Sequence, residues 1–229
     1  MKSLYESILD DEDVLISNIR KDIIAMSIYE KLINQETLEQ SELSWMNNNV
    51  SVLEVDKQQL KNLLSKLHKK YYNISLNWLN VSKITDMSYL FYKSIFNGDI
   101  SKWDVSKVTN MNSMFYYSVF NNDISKWNVG KVTNMMEMFA GAREFNCDIS
   151  KWNVSSVIYM NGMFKGANKF NQDISRWNVN NVVNMSEMFM DTFKFNQDIS
   201  NWKVSNVMSK MWAFLNSGCK LKNRPKFKE

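Results

Sequence analysis

Five aspartates, Asp99, Asp123, Asp148, Asp173 and Asp198, recur every 24 or 25 residues, and a carboxylate column at fixed spacing is a pattern that can hold calcium. No glycine-rich ligand loop surrounds them, and Lys102, Lys126, Lys151, Arg176 or Asn201 follows each three residues on. The expected use is an Asx turn beside a neighbouring cation, with no metal bound. A second column, Asn97, Asn121, Asn146, Asn171 and Asn196, reads as a structural ladder. Tryptophans at 78, 103, 127, 152, 177 and 202 could stack sugars or bases if they faced solvent. The single histidine, His68, lies among lysines with no nucleophile or carboxylate set around it by any motif. Cys147 and Cys219 fall about three repeats apart, on the order of 14 Å at strand spacing, too far for a disulfide. No phosphate-cradling loop, zinc pattern or triad is present, so the chain is expected to be non-catalytic and to carry no cofactor.

These residues sit on a lattice. The clearest copy runs Asp99-Ile100-Ser101-Lys102-Trp103-Asp104-Val105-Ser106-Lys107-Val108-Thr109-Asn110-Met111, then Met114-Phe115 and Phe120-Asn121. A unit of this size cannot bury its own apolar face and must stack on copies of itself, which predicts a solenoid. Ile100, Trp103 and Val105 predict a short strand with Trp and Val pointing inward. Val108, Met111, Met114 and Phe115 are spaced as a helix face, with Ser106 as its N-cap. The expected fold is therefore an α/β solenoid, a leucine-rich-repeat-like stack of short parallel strands and short helices. With the tryptophans inside, burial contributes about 2–3 kcal/mol each, and stacked sugars lose their platform.

Three segments follow. Residues 1–73 read as a mainly helical N-terminal cap, 74–216 as six repeat units and 217–229 as a basic tail. In the cap, Ser3 is expected to start a helix through Leu4, Ile8 and Leu9. A second helix is expected behind the acidic run Asp10–Asp13, its core face including Val14, Leu15, Ile19, Ile23, Ile24, Met26, Ile28 and Leu32. Val50–Val55 alternates like a strand, and Asp56 with Gln59 forms a capping box before a helix bearing Leu60, Leu63, Leu64 and Leu67. A strand and amphipathic helix are what covering the end of a stack requires.

The repeat closely resembles the BspA-like leucine-rich repeats, and in particular the 25-residue type of mycoplasma and gut-bacterial surface proteins, also met in some large viruses. The resemblance covers about 140 residues and implies a surface-exposed binding or adhesion scaffold without catalytic residues. The family's signal peptide and lipid-attachment cysteine have no counterpart here, and the amino terminus resembles those of gut-bacterial and phage proteins. A virion or cytoplasmic location is the expectation, with surface exposure by a route needing no signal peptide as the alternative.

What the lattice leaves outward is the candidate binding surface: Lys102 and Asp104, Lys126 and Asn128, Lys151 and Asn153, Arg176 and Asn178, Asn201 and Lys203. The expected function is protein–protein contact as a structural or adhesion component of a surface or phage virion, the partner being another virion or surface component. A carbohydrate-binding module is the alternative, as is nucleic-acid contact through Lys220, Lys222, Arg224, Lys226 and Lys228 of the tail. A net charge of +4 and a row interleaved with Asp and Asn argue against nucleic acid. No apolar run is long enough to enter a membrane. Neither the partner's identity nor an oligomeric state can be read from the sequence.

Overall fold

The computed structural model describes residues 4–67 and 71–227, with the side chains of 4–13 outside that description. The elements are α1 (Leu4–Ile33), α2 (Gln40–Asn48), β1 (Leu53–Glu54), α3 (Lys57–Lys66) and β2 (Leu79–Asn80), followed by turns and a final 3-10 turn, Leu221–Asn223.

Each repeat lies on the next through single parallel pairings that join Asp86, Asn110, Asn134, Tyr159, Asn184 and Ser209 in turn. These pairings fall in the Thr-Asn-Met stretch and not in Ile100–Val105, where the sequence predicted a strand. Ile100–Val105 is two turns, because the Asp99 carboxylate accepts the Ser101 N–H and the Asp104 carboxylate the Ser106 N–H. Ser106 is thus the end of an Asx turn and not a helix cap. The predicted helix is likewise absent. Met111–Ser118 is a run of overlapping four-residue turns, in which Met114, Tyr116 and Ser118 donate to the carbonyls of Met111, Ser113 and Phe115. Ser113 and Tyr117 hold φ of +51° and +50°, which no helix tolerates.

That alternation aims every second amide along the stack. Met111, Ser113, Phe115 and Tyr117 donate to the carbonyls of Asn134, Met136, Met138 and Ala140 at 2.7–2.9 Å. The same four columns repeat down to Met185, Glu187, Phe189 and Asp191, which donate to Ser209, Met211, Ala213 and Leu215. Backbone groups buried between units are satisfied by the neighbouring unit, which is why the stack coheres without a wide sheet.

Inside, columns of like residues replace a mixed core. Phe91, Phe115, Phe139, Phe164, Phe189 and Phe214 stack at 5.1–5.9 Å. The tryptophans are buried as expected, Trp103 lying 6.5 Å from Trp127 and Trp177 6.4 Å from Trp202. The indole N–H groups of Trp103, Trp127, Trp152, Trp177 and Trp202 each donate to a carbonyl of the preceding unit, as Trp152 does to Ile124 at 3.0 Å, so the polar end of a buried ring is satisfied. The asparagine column is a ladder: Asn121, Asn146, Asn171 and Asn196 each donate their N–H to the side-chain oxygen of the asparagine one unit earlier, at 2.8–2.9 Å.

The cap covers the first unit. β1 pairs in parallel with β2, Leu53 against Leu79 and Glu54 against Asn80. α3 begins at Asp56, whose carboxylate accepts the Gln59 N–H at 2.8 Å while Gln59 accepts the Asp56 N–H at 2.9 Å. Leu60 and Leu63 are buried. The predicted break between two N-terminal helices does not exist: α1 is continuous over 30 residues, so the acidic run is inside it and its side chains are outside the described set. Among the described side chains of α1, only Ala25, Ile28 and Leu32 are buried, whereas Val14, Leu15, Ile19, Ile23, Ile24 and Met26, expected on the core face, are exposed. Helix α2, between α1 and β1, buries Met46.

Candidate functional site

The repeated residues are used up by folding. Asp99, Asp123, Asp148, Asp173 and Asp198 each accept a serine N–H two residues on, at 2.8–3.0 Å. The Ser125 hydroxyl and N–H hold the Asp123 carboxyl below its ordinary range, and Ser150 and Ser175 do the same for Asp148 and Asp173. At Asp99 burial pushes the carboxyl up, but the bonds from Ser101 and Asn77 outweigh it. Among the described residues no cluster of His, Cys, Asp and Glu has metal-site geometry. His68 lies outside the described residues.

The predicted binding row is exposed along its whole length. Its members are not equivalent. Asp104, Asn128, Asn153 and Asn178 spend their Oδ1 on the N–H of Ser106, Gly130, Ser155 and Asn180, and Asn201 donates its side-chain amide to Ser175. The cations Lys102, Lys126, Lys151, Arg176 and Lys203 remain turned outward. Asp148, Lys151, Asp173 and Arg176 line one shallow depression of about 550 Å3, and Arg176, Asn178, Asn201 and Lys203 line another of about 340 Å3. Charges of both signs alternate in the first of these, a surface suited to a polar partner and ill suited to a polyanion.

A second surface escaped the sequence reading. Tyr89, Tyr92, Tyr116 and Tyr117 meet on the first two units, Tyr92 and Tyr116 stacking at 5.0 Å and Tyr117 lying tilted against Tyr116 at 4.8 Å. Tyr89, Tyr92 and Tyr117 are exposed, with Ile95 and Val119 beside them, and Lys93 sits 5.3 Å from the Tyr92 ring. Burial pushes the Tyr116 hydroxyl up, with Glu137 adding to it. Position 141 keeps the patch in place: it has φ of +68°, and a Cβ there would come within 2.6 Å of the Tyr117 ring, so only glycine lets that ring lie down. Between the tyrosines and α3 runs a groove of about 490 Å3, lined by Lys61, Leu64, Ser65 and Leu67 on one side and Tyr89, Tyr92, Lys93 and Ile95 on the other. The available signal was position: these tyrosines flank the Leu-Phe and Met-Phe pairs in slots that units from Asp123 onward fill with Glu, Gly, Ala, Lys, Met, Asp, Trp, Leu or Asn.

The tail is not a loose arm. Cys219 is buried where Phe195 stood one unit earlier, the Lys220 N–H donates to Asn196 Oδ1 at 3.0 Å, and Asn223 accepts the Ile199 N–H at 2.9 Å. Residues 217–227 thus continue the lattice. Both cysteines are free, and burial raises both thiols. No helix among the described residues is long and apolar enough to cross a membrane.

No curated protein and no solved structure matched the chain. A family model described as "Mycoplasma protein of unknown function, DUF285" matches residues 58–148 and 117–225, together well over half of the chain and taking in α3 and all the repeats. The chain belongs to the DUF285 family.

Proposed function

We propose that this chain is a leucine-rich-repeat-like solenoid, related to the BspA-like surface proteins, that works without catalysis by holding a protein partner. The observation that carries the reading is the division of labour among its residues. Core columns, Asx turns and ladders occupy what is repeated, and the tyrosine patch with its groove occupies slots the repeat leaves free. Tyrosine is the residue of choice for such a task, offering a rigid apolar face and a polar tip at low entropic cost. The cation row Lys102, Lys126, Lys151 and Arg176 serves as a polar rim. We place the protein as a surface-exposed or phage virion-associated component.

The test is copurification from the native source with the wild type, with Tyr92→Ala/Tyr117→Ala and with Lys126→Ala/Lys151→Ala/Arg176→Ala. The tyrosine pair is expected to lose the partner while keeping the fold by circular dichroism, and the row variant to weaken it less. Retention by the tyrosine variant would refute the patch.

A carbohydrate-binding role is the second reading, and the exposed tyrosine rings now support it in place of the buried tryptophans. Glycan binding that disappears in the same tyrosine variant would select it.

A further inference from the structure

Three of the four amide columns that tie each unit to the next reach the last unit without meeting a cap among the described residues. In the last unit the four columns fall on Lys210, Trp212, Phe214 and Asn216. Trp212 and Asn216 keep φ of +57° and +54°, the left-handed values found at Glu187 and Asp191, so their amides keep the same direction along the stack. The amides of Glu187, Phe189 and Asp191 reach carbonyls of the last unit at 2.8–2.9 Å, whereas those of Trp212, Phe214 and Asn216 have no acceptor among the described residues. Beside them opens a cleft of about 750 Å3, with Trp212, Phe214 and Leu215 on one wall and Leu221, Arg224 and Phe227 on the other. Arg224 lies 5.0 Å from the Phe214 ring, and Leu221 is 81% exposed. Lys222, Arg224 and Lys226 line this cleft, and no Asp or Glu among the described residues does.

A row of outward donors calls for a row of carbonyls. Two copies joined through this end would set donors against donors. A head-to-tail copy would have to offer the carbonyls of Asp86, Ser88, Leu90 and Tyr92, but α3 lies along that side, with Lys57 Nζ 2.9 Å from Ser88 Oγ and 3.0 Å from Asp86. We propose that the C-terminal end of the stack binds an extended acidic peptide segment of a partner protein. Its backbone carbonyls accept from Trp212, Phe214 and Asn216, its carboxylates face Lys222, Arg224 and Lys226, and an apolar side chain enters the cleft. This is capture of a peptide's carbonyls by a row of outward backbone donors, with cations selecting the charge. The site is remote in sequence from the tyrosine patch and does not depend on it.

The experiment is amide hydrogen exchange by NMR on the full chain, alone and with an acetylated seven-residue peptide of alternating Glu and Leu. The amides of Trp212, Phe214 and Asn216 are expected to exchange fast in the free protein and at least tenfold more slowly with saturating peptide. Those of Glu187 and Phe189 are expected to be protected in both. Lys222→Glu/Lys226→Glu, both exposed positions, is expected to weaken the peptide at least tenfold with the fold intact. Unchanged exchange with peptide, equal protection by a Lys-and-Leu counterpart, or protection that rises with protein concentration without peptide would each overturn the proposal, the last by assigning the edge to a second copy.

Discussion

The two ends of the stack solve one problem in opposite ways. At the amino end, β1, α3 and the buried face of α1 cover the first unit, with Leu60, Leu63, Ile28 and Leu32 sealed between them. At the carboxyl end, Met208 is 86% exposed and Trp212 54% exposed, and part of a seventh turn covers the Phe214 ring only in passing. Among the described residues, one sealed end is enough to start a register that each unit then passes to the next, while the last unit keeps its register with far less cover.

The sharpest way to break this comparison is inside a single column. Phe164→Ala removes a ring sandwiched between Phe139 and Phe189 and is expected to destabilise by about 3–5 kcal/mol in urea unfolding. Phe214→Ala, with a stacked ring on one side, should cost clearly less, on the order of 1–2 kcal/mol. Equal losses would mean that the open end is sealed after all. At the covered end Leu63→Ala is expected to cost roughly 2–4 kcal/mol, and a loss under about 1 would show that α3 is not a true lid. Asn146→Ala removes the acceptor for the Asn171 N–H on an exposed rung and should cost about 1 kcal/mol.

The smallest effect is a pH dependence. Asp123, Asp148 and Asp173 titrate lower in the folded chain than their ordinary value near 4, so the unfolded state binds more protons as pH falls. Their contribution is present above about pH 4 and is lost as pH drops through the folded values. Replacing the three with Asn, which fills the same role at Asn128, Asn153 and Asn178, should flatten unfolding free energy against pH in that acidic window.

Legibility followed chemistry more closely than geometry. Inward Trp, Met and Phe were readable because they recur at one period, and the Asx turns because Asp or Asn precedes each turn at a fixed offset. The turn run was not readable. Val108, Met111, Met114 and Phe115 are spaced as on a helix, and the contrary hint lay in Gly141, Gly162 and Gly166, which occupy left-handed columns elsewhere filled by Tyr, Ser, Glu, Lys, Asp, Trp and Asn. The cap helix was split in error because an acidic cluster resembles a helix start, although neither Gly nor Pro interrupts Leu4–Ile33 to end the first segment. The tyrosine patch was missed because attention to what repeats passes over what does not.

The tryptophan column has an optical consequence. Parallel indoles 6.4–6.5 Å apart, with planes within 5°, share excitation before any one of them emits. Emission from the stacked column therefore belongs to neighbouring rings together, and hopping among parallel rings leaves its polarisation largely intact. Replacing one ring in the row changes the signal of the others, which makes the column a reporter of whether adjacent units remain stacked.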